Sequence, residues 1–218
     1  SNSSPFINED SDKQKTYNDK IQAAKEIINQ TSNPTLDKQK IADTLQNIKD
    51  AVNNLHGDQK LQKAQQDATN ELNYLTNLNN SQRQSEHDEI NSAPSRTEVS
   101  NDLNHAKALN EAMRQLENEV ALENSVKKLS DFINEDEAAQ NEYSNALQKA
   151  KDIINGVPSS TLDKATIEDA LLELQNARES LHGEQKLQEA KNQAVAEIDN
   201  LQALNPGQVL AEKTLVNQ

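Results

Sequence analysis

Residues 6–79 and 132–205 are two copies of one segment at a constant offset of 126, with 34 of the 74 paired positions identical and no gap between them. Whatever the first copy folds into, the second must fold into as well, so the chain reads as part of a modular array. The shared words are long: Phe6-Ile7-Asn8-Glu9-Asp10 returns as Phe132-Ile133-Asn134-Glu135-Asp136, Thr35-Leu36-Asp37-Lys38 as Thr161-Leu162-Asp163-Lys164, and Leu55-His56-Gly57 as Leu181-His182-Gly183.

The chain has 218 residues, 33% of them hydrophobic, with three Tyr, two Phe and no Trp. That content suits several small helical bundles better than one large core. Isolated aliphatic residues lie among many Asn, Gln, Lys, Asp and Glu, with four Gly and five Pro, which predicts an all-α protein. A mean hydropathy of -0.95 would also suit a disordered chain, but the apolar residues keep helical spacing in both copies.

In the first copy Asp10 stands at an N-cap position, and Tyr17, Ile21, Ala24 and Ile28 follow at helical spacing, predicting a helix over 11–30. Asn33-Pro34 breaks it. Leu36-Asp37 opens a second helix with Ile41, Leu45, Ile48, Val52 and Leu55 on one stripe, and Gly57 after His56 is expected as its C′ residue, a stop repeated at Gly183. A third helix over 58–77 carries Leu61, Ala64, Ala68, Leu72 and Leu75. The three stripes predict an antiparallel three-helix bundle. The second copy repeats the pattern with Tyr143, Leu147, Ile154, Ile167, Leu171, Leu174, Leu181, Leu187, Ala190, Ala194, Ile198 and Leu201.

Between the copies the character changes. Asn79 or Asn80 caps a very polar helix over 81–91 that Ala93-Pro94 ends. From Thr97 a long helix is expected, with Val99, Leu103, Ala106, Leu109, Met113, Leu116 and Val120, running on through Val126 and Leu129. Its length would be on the order of 45 Å. The expected modules are 1–78, 79–130 with a helix over about 58–77 shared, and 131–218.

These residues carry a resemblance. Phe6-Ile7-Asn8-Glu9-Asp10, Tyr17, Ala24-Lys25, Ile27-Ile28-Asn29, Leu45, Leu55-His56-Gly57 and Leu61 resemble the FIVAR module. Leu78-Asn79-Asn80-Ser81-Gln82-Arg83-Gln84, then Ile90-Asn91-Ser92-Ala93-Pro94, Arg96-Thr97-Glu98-Val99 and Leu109-Asn110-Glu111-Ala112-Met113-Arg114-Gln115-Leu116, resemble the GA-related module. Alternating modules of these two kinds are similar to the repeats of the giant staphylococcal extracellular matrix-binding proteins, the Ebh/Embp family. The resemblance implies tandem three-helix bundles linked by long helices into an elongated, monomeric rod on the bacterial cell surface. It also implies attachment to host fibronectin, weak per repeat and strengthened by multivalency, with roles in envelope integrity and biofilm formation. The alternative it leaves open is a passive spacer with no ligand of its own. GA modules elsewhere bind albumin through apolar and aromatic residues on their second helix; here that stretch is Ser81-Gln82-Arg83-Gln84-Ser85-Glu86-His87-Asp88-Glu89, and albumin binding is not expected.

Other functions are disfavoured by what the residues lack. A net charge of -14 without a basic stripe argues against nucleic-acid partners and anionic membranes. No apolar run approaches the roughly 20 residues of a membrane span. A signal peptide and an anchor, if the parent protein has them, lie outside this segment. The absence of cysteine removes disulfide and thiol chemistry. No nucleophile, base and acid constellation or phosphate loop can be assembled, so no catalytic, cofactor or metal residue is assigned and no enzyme is expected. Of the four histidines, His56 and His182 are expected in a last helical turn, favourable to the helix dipole. His87 and His105 have no partner histidine at helical spacing. The acidic runs from Asn8 to Asp12 and from Asn134 to Glu137 read as negatively charged helix starts, with loose calcium binding as the other reading. Tyr17 and Tyr143 are expected in the core.

Overall fold

The computed structural model describes residues 2–218. Helices and turns account for all regular structure among them, and the chain divides into two compact units, residues 1–76 with 82–108, and 77–81 with 109–218.

The first unit begins with a four-residue helix, α1 (Ser4–Ile7), which the sequence pattern did not separate from the helix after it. The hairpin α2 (Ser11–Ile28) and α3 (Lys38–Asn53) follows. The repeated Thr-Leu-Asp-Lys word is a start signal: Asp37 accepts from the amides of Gln39 and Lys40, while the Thr35 hydroxyl accepts from the Asp37 amide. An anion at the first turn satisfies amides that have no helical partner. The unit continues with α4 (Gly57–Leu72) and α5 (Asn80–Ser92), and includes the first half of α6 (Arg96–Val120). Ala68 and Leu72 of α4, Ile90 of α5, and Val99 and Ala106 of α6 are buried. Side chains lace the three helices together, with Gln65 donating to the Asn91 and Ala93 carbonyls, Arg83 to the Leu72 carbonyl, and Lys107 paired with Glu71.

Two boundaries differ from expectation. α4 ends at Leu72, five residues before the expected end at Asn77. The long helix expected to run through Val126 and Leu129 stops at Val120 after 25 residues, roughly 37 Å. Its stripe of Leu109, Met113, Leu116 and Val120 would continue through positions 123 and 127, which are Glu and Lys. Ending the helix keeps those charges off the apolar stripe, and a turn at 121–122 lets Val126 bury instead.

The second unit holds the rest of α6, then α7 (Glu123–Val126), α8 (Ser130–Ile133), α9 (Glu137–Asn155), α10 (Lys164–Glu179), α11 (Gly183–Asp199) and α12 (Pro206–Val216). α9 packs on α10, and α11 on α8 and α12. The Arg178 Nε donates to Glu119 at 2.6 Å and Lys151 to Glu123 at 2.6 Å, so the end of α6 and the start of α7 face the α9–α10 hairpin. Leu109, Met113, Leu116, Tyr143, Leu147, Ile167 and Leu174 are buried there. Each contributes about 1.5–3 kcal/mol of burial.

Candidate functional site

The repeated acidic word builds the same clamp in both copies. Glu9 lies two residues past the end of α1 with its side chain inaccessible, and its carboxylate accepts from the His56 and Asp10 amides and pairs with Lys60. Glu135 does the same with the amides of His182 and Asp136 and with Lys186. Burial alone would raise the Glu9 carboxyl, but Lys60 and the two amides outweigh it and hold it down at about 2. Lys186 and its two amides hold Glu135 at about 2 as well. Gln14 and Gln140, another identity between copies, each donate at 2.7 Å to the carbonyl of Phe6 or Phe132. The rings of those phenylalanines meet Tyr17 and Tyr143 edge to face, with centroids 5.4 and 5.9 Å apart. Tyr143 is buried and Tyr17 half-buried, so both pack where the stripe put them.

The clamp overturns the reading of two glycines. Gly57 and Gly183 are the first residues of α4 and α11, not the C′ stops of the preceding helices. A Cβ on Gly57 would stand 2.8 and 2.9 Å from the carbonyl carbons of Pro5 and Asn8, and one on Gly183 would stand 2.6 Å from three backbone atoms, the Asp131 oxygen among them. These glycines let one backbone cross another. The left-handed helix end belongs to Gly156, at φ 68°. His56 and His182 therefore occupy N-cap positions, and the favourable C-terminal dipole expected for them has no basis.

The N-cap assignment of Asp10 holds for the backbone, but its side chain pairs with Lys60 and Arg96 instead of capping. A cation at the run from Asn8 to Asp12 would have to displace those groups. In the first copy Asn8 is locked further: it donates to the Pro94 carbonyl and accepts from the Arg96 amide. His87 is exposed beside Asp88.

A second cluster was missed because it is built across two helices. Glu86, on α5, is fully buried with Oε1 2.9 Å from the His105 Nδ1 on α6, and its Oε2 has no hydrogen-bond partner. Burial raises the Glu86 carboxyl, His105 opposes that shift, and Glu89 and Asp102 reinforce it. An unpartnered buried carboxylate oxygen costs about 1–3 kcal/mol or more. One donor atom from each of Glu86, Glu89 and His105 lies within 4.8 Å of the others. The visible signal was a pair of i, i+3 words, Glu86 with Glu89 and Asp102 with His105, on successive helices.

Comparison with known proteins places these features. The FIVAR domain matches residues 1–56 and 112–182, ending in each copy just before the glycine crossing. The chain belongs to the FIVAR family. GA modules match 58–112, between the two FIVAR segments, and 184–218, after the second. The chain is 44% identical over 215 residues to the extracellular matrix-binding protein ebh of Staphylococcus aureus, covering 99% of this chain and 2% of that protein. It matches the extracellular matrix-binding protein EbhA of the same species at the same identity, over 3% of its length. The FIVAR and GA segments thus span a few hundredths of the curated relatives they match. Among solved structures, the crystal structure of the 756–1003 domain of EbhA from Staphylococcus aureus aligns with a TM-score of 0.92 at 27% identity, covering 99% of this chain and 86% of that one. A structure concerned with Embp-mediated adherence of Staphylococcus epidermidis to fibronectin aligns with a TM-score of 0.55 at 36% identity, covering 57% of this chain and 99% of that one. These are matrix-binding repeat proteins, and neither FIVAR nor GA is an enzyme family. No described helix is long and apolar enough to cross a membrane.

Proposed function

We propose that this chain is a repeat segment of a bacterial cell-surface adhesin, divided at about 78 and 130 into a FIVAR module, a GA-related module, and a second FIVAR module with the start of the next GA-related one, that holds fibronectin weakly in each copy and firmly as an array. The observation that carries this reading is similarity along nearly the whole chain to matrix-binding repeats, together with the likeness of 57% of it to the Embp structure associated with fibronectin adherence. The surface supports low affinity per copy: exposed residues such as Leu36, Tyr74, Leu129 and Leu210 lie apart along the chain, the apolar groove of Ile28, Ile41 and Leu45 between α2 and α3 holds no aromatic side chain, and no aromatic cluster offers a hot spot. Weak sites repeated along one chain gain strength from effective concentration. α5 is polar even where it is buried, at Gln82 and Glu86, and supplies no apolar face for albumin.

The test is binding of this chain, and of tandem arrays of two and four copies of it, to surface-coated fibronectin. Signal rising steeply with copy number supports adhesion. Background signal at every length leaves a passive spacer as the function. In parallel, calorimetry with albumin should show no binding, and a micromolar affinity would overturn that part of the reading.

A further inference from the structure

We propose that Glu86, Glu89 and His105 form a site for a divalent transition metal, with zinc as the fitting ion, between α5 and α6. Two observations meet there independently. The three side chains bring two carboxylates and one imidazole within 4.8 Å of one another. One of those carboxylates, Glu86, is fully buried and keeps an oxygen with no hydrogen-bond partner.

Zinc takes nitrogen and carboxylate oxygen at about 2.0–2.2 Å in tetrahedral geometry, so three ligand atoms around it stand roughly 3.3 Å apart. Binding would therefore draw the donor atoms together from the observed spacing, with the exposed Glu89 and His105 side chains the ones free to rotate. Glu89 and His105 are exposed, leaving an approach for the ion and room for water at the remaining position. Calcium and magnesium fit poorly, because they ask for six or more oxygen donors and find one imidazole and two carboxylates. Facing helices that project carboxylate and imidazole into a shared gap are a recurrent way of holding such ions in bundles.

The site is particular to this module. At the offset of 126, α12 is the counterpart of α5, and Glu86 and Glu89 become Glu212 and Leu215. An ion at the first site would cross-link α5 to α6 and stabilise that bundle by mass action.

The experiment titrates the intact chain with zinc chloride, calcium chloride and magnesium chloride in separate runs, followed by calorimetry and thermal melting, with cobalt(II) absorption reporting coordination geometry. One zinc per chain and a higher melting temperature, with no response to calcium or magnesium, support the site. Glu89→Leu, copying the substitution that α12 already carries, and His105→Ala should each weaken zinc binding at least tenfold while leaving the helical circular dichroism unchanged. Glu89 is exposed and is not the hydrogen-bond partner of Glu86, so its substitution is not confounded by loss of folding and decides the test should His105→Ala, which strips the buried Glu86 of its partner, lower the melting temperature. Absence of zinc binding, or binding that survives both substitutions and so belongs to other surface groups, would overturn the proposal.

Discussion

The hairpins α2–α3 and α9–α10 are two copies of one repeated segment, with 16 of the 43 positions from 11 to 53 identical to their partners at 137–179, in different surroundings. Ile167 and Leu174 are inaccessible, whereas their counterparts Ile41 and Ile48 are 47% exposed and half-buried. Tyr143, Ala146, Leu147 and Ala150 form a buried row on α9, and no residue of α2 is buried. Ile28, Leu45 and Val52, read from the repeat as core, are largely exposed. The difference has a cause within the second unit, where the end of α6 faces the hairpin and Glu119 and Glu123 reach Arg178 and Lys151. The sequences anticipate it at two positions: α9 and α10 carry Ala146 and Ala170 where α2 and α3 carry Lys20 and Thr44. Small side chains admit a third helix closely, and a lysine ammonium keeps one away. An apolar stripe records only the capacity to be covered.

The comparison can be broken most forcefully in its core. Leu174→Ala should cost about 3 kcal/mol, and Ile48→Ala at the paired position no more than about 1 kcal/mol, read by urea denaturation with amide exchange assigning each transition to its unit. Equal costs would mean the hairpins are buried alike in solution. Next come the crossings, where the copies should agree instead of differing. Gly57→Ala and Gly183→Ala each force a backbone carbonyl aside and should destabilise by roughly 2 kcal/mol, with a smaller cost at Gly207→Ala, where the new Cβ would meet only the Asn205 side-chain oxygen at 3.3 Å.

Acid should act on both copies through the clamp. Glu9 and Glu135 have folded values of about 2 against an ordinary 4.5, so the stability they supply is complete above about 4.5 and is lost as pH falls toward 2. A melting curve series across that window should show a progressive decline, reduced in the double variant Glu9→Gln, Glu135→Gln. A decline of the same size in that variant would place the acid-sensitive groups elsewhere. The smallest effect belongs to Leu36→Ala: at 90% exposed its melting temperature should not move measurably.

Helix positions and the all-α class were legible because period and capping are local. Asp37 and Asp163 announce their helices through side chains that bond amides two or three residues ahead. The meaning of Gly57 was not legible, since its constraint is a carbonyl about fifty positions earlier in the chain. Position 57 follows an apolar run just as a helix stop would, and local pattern alone favours that reading. The end of α6 was half legible: Glu123 and Lys127 interrupt the stripe, but Val126 and Leu129 suggest continuation unless the angle is tracked residue by residue. Glu86 escaped because a buried carboxylate within a polar helix looks the same in sequence as an exposed one. Its burial depends on how α5 is rotated against α4 and α6.

The Glu9–Lys60 pair joins positions 51 residues apart, with the whole α2–α3 hairpin between them. A pull along the chain would therefore travel from α1 through the clamp into α4, bypassing the hairpin while the clamp holds. When the clamp yields, the loop can pay out up to about 170 Å of chain, lengthening the tether and blunting the jerk on the helices beyond.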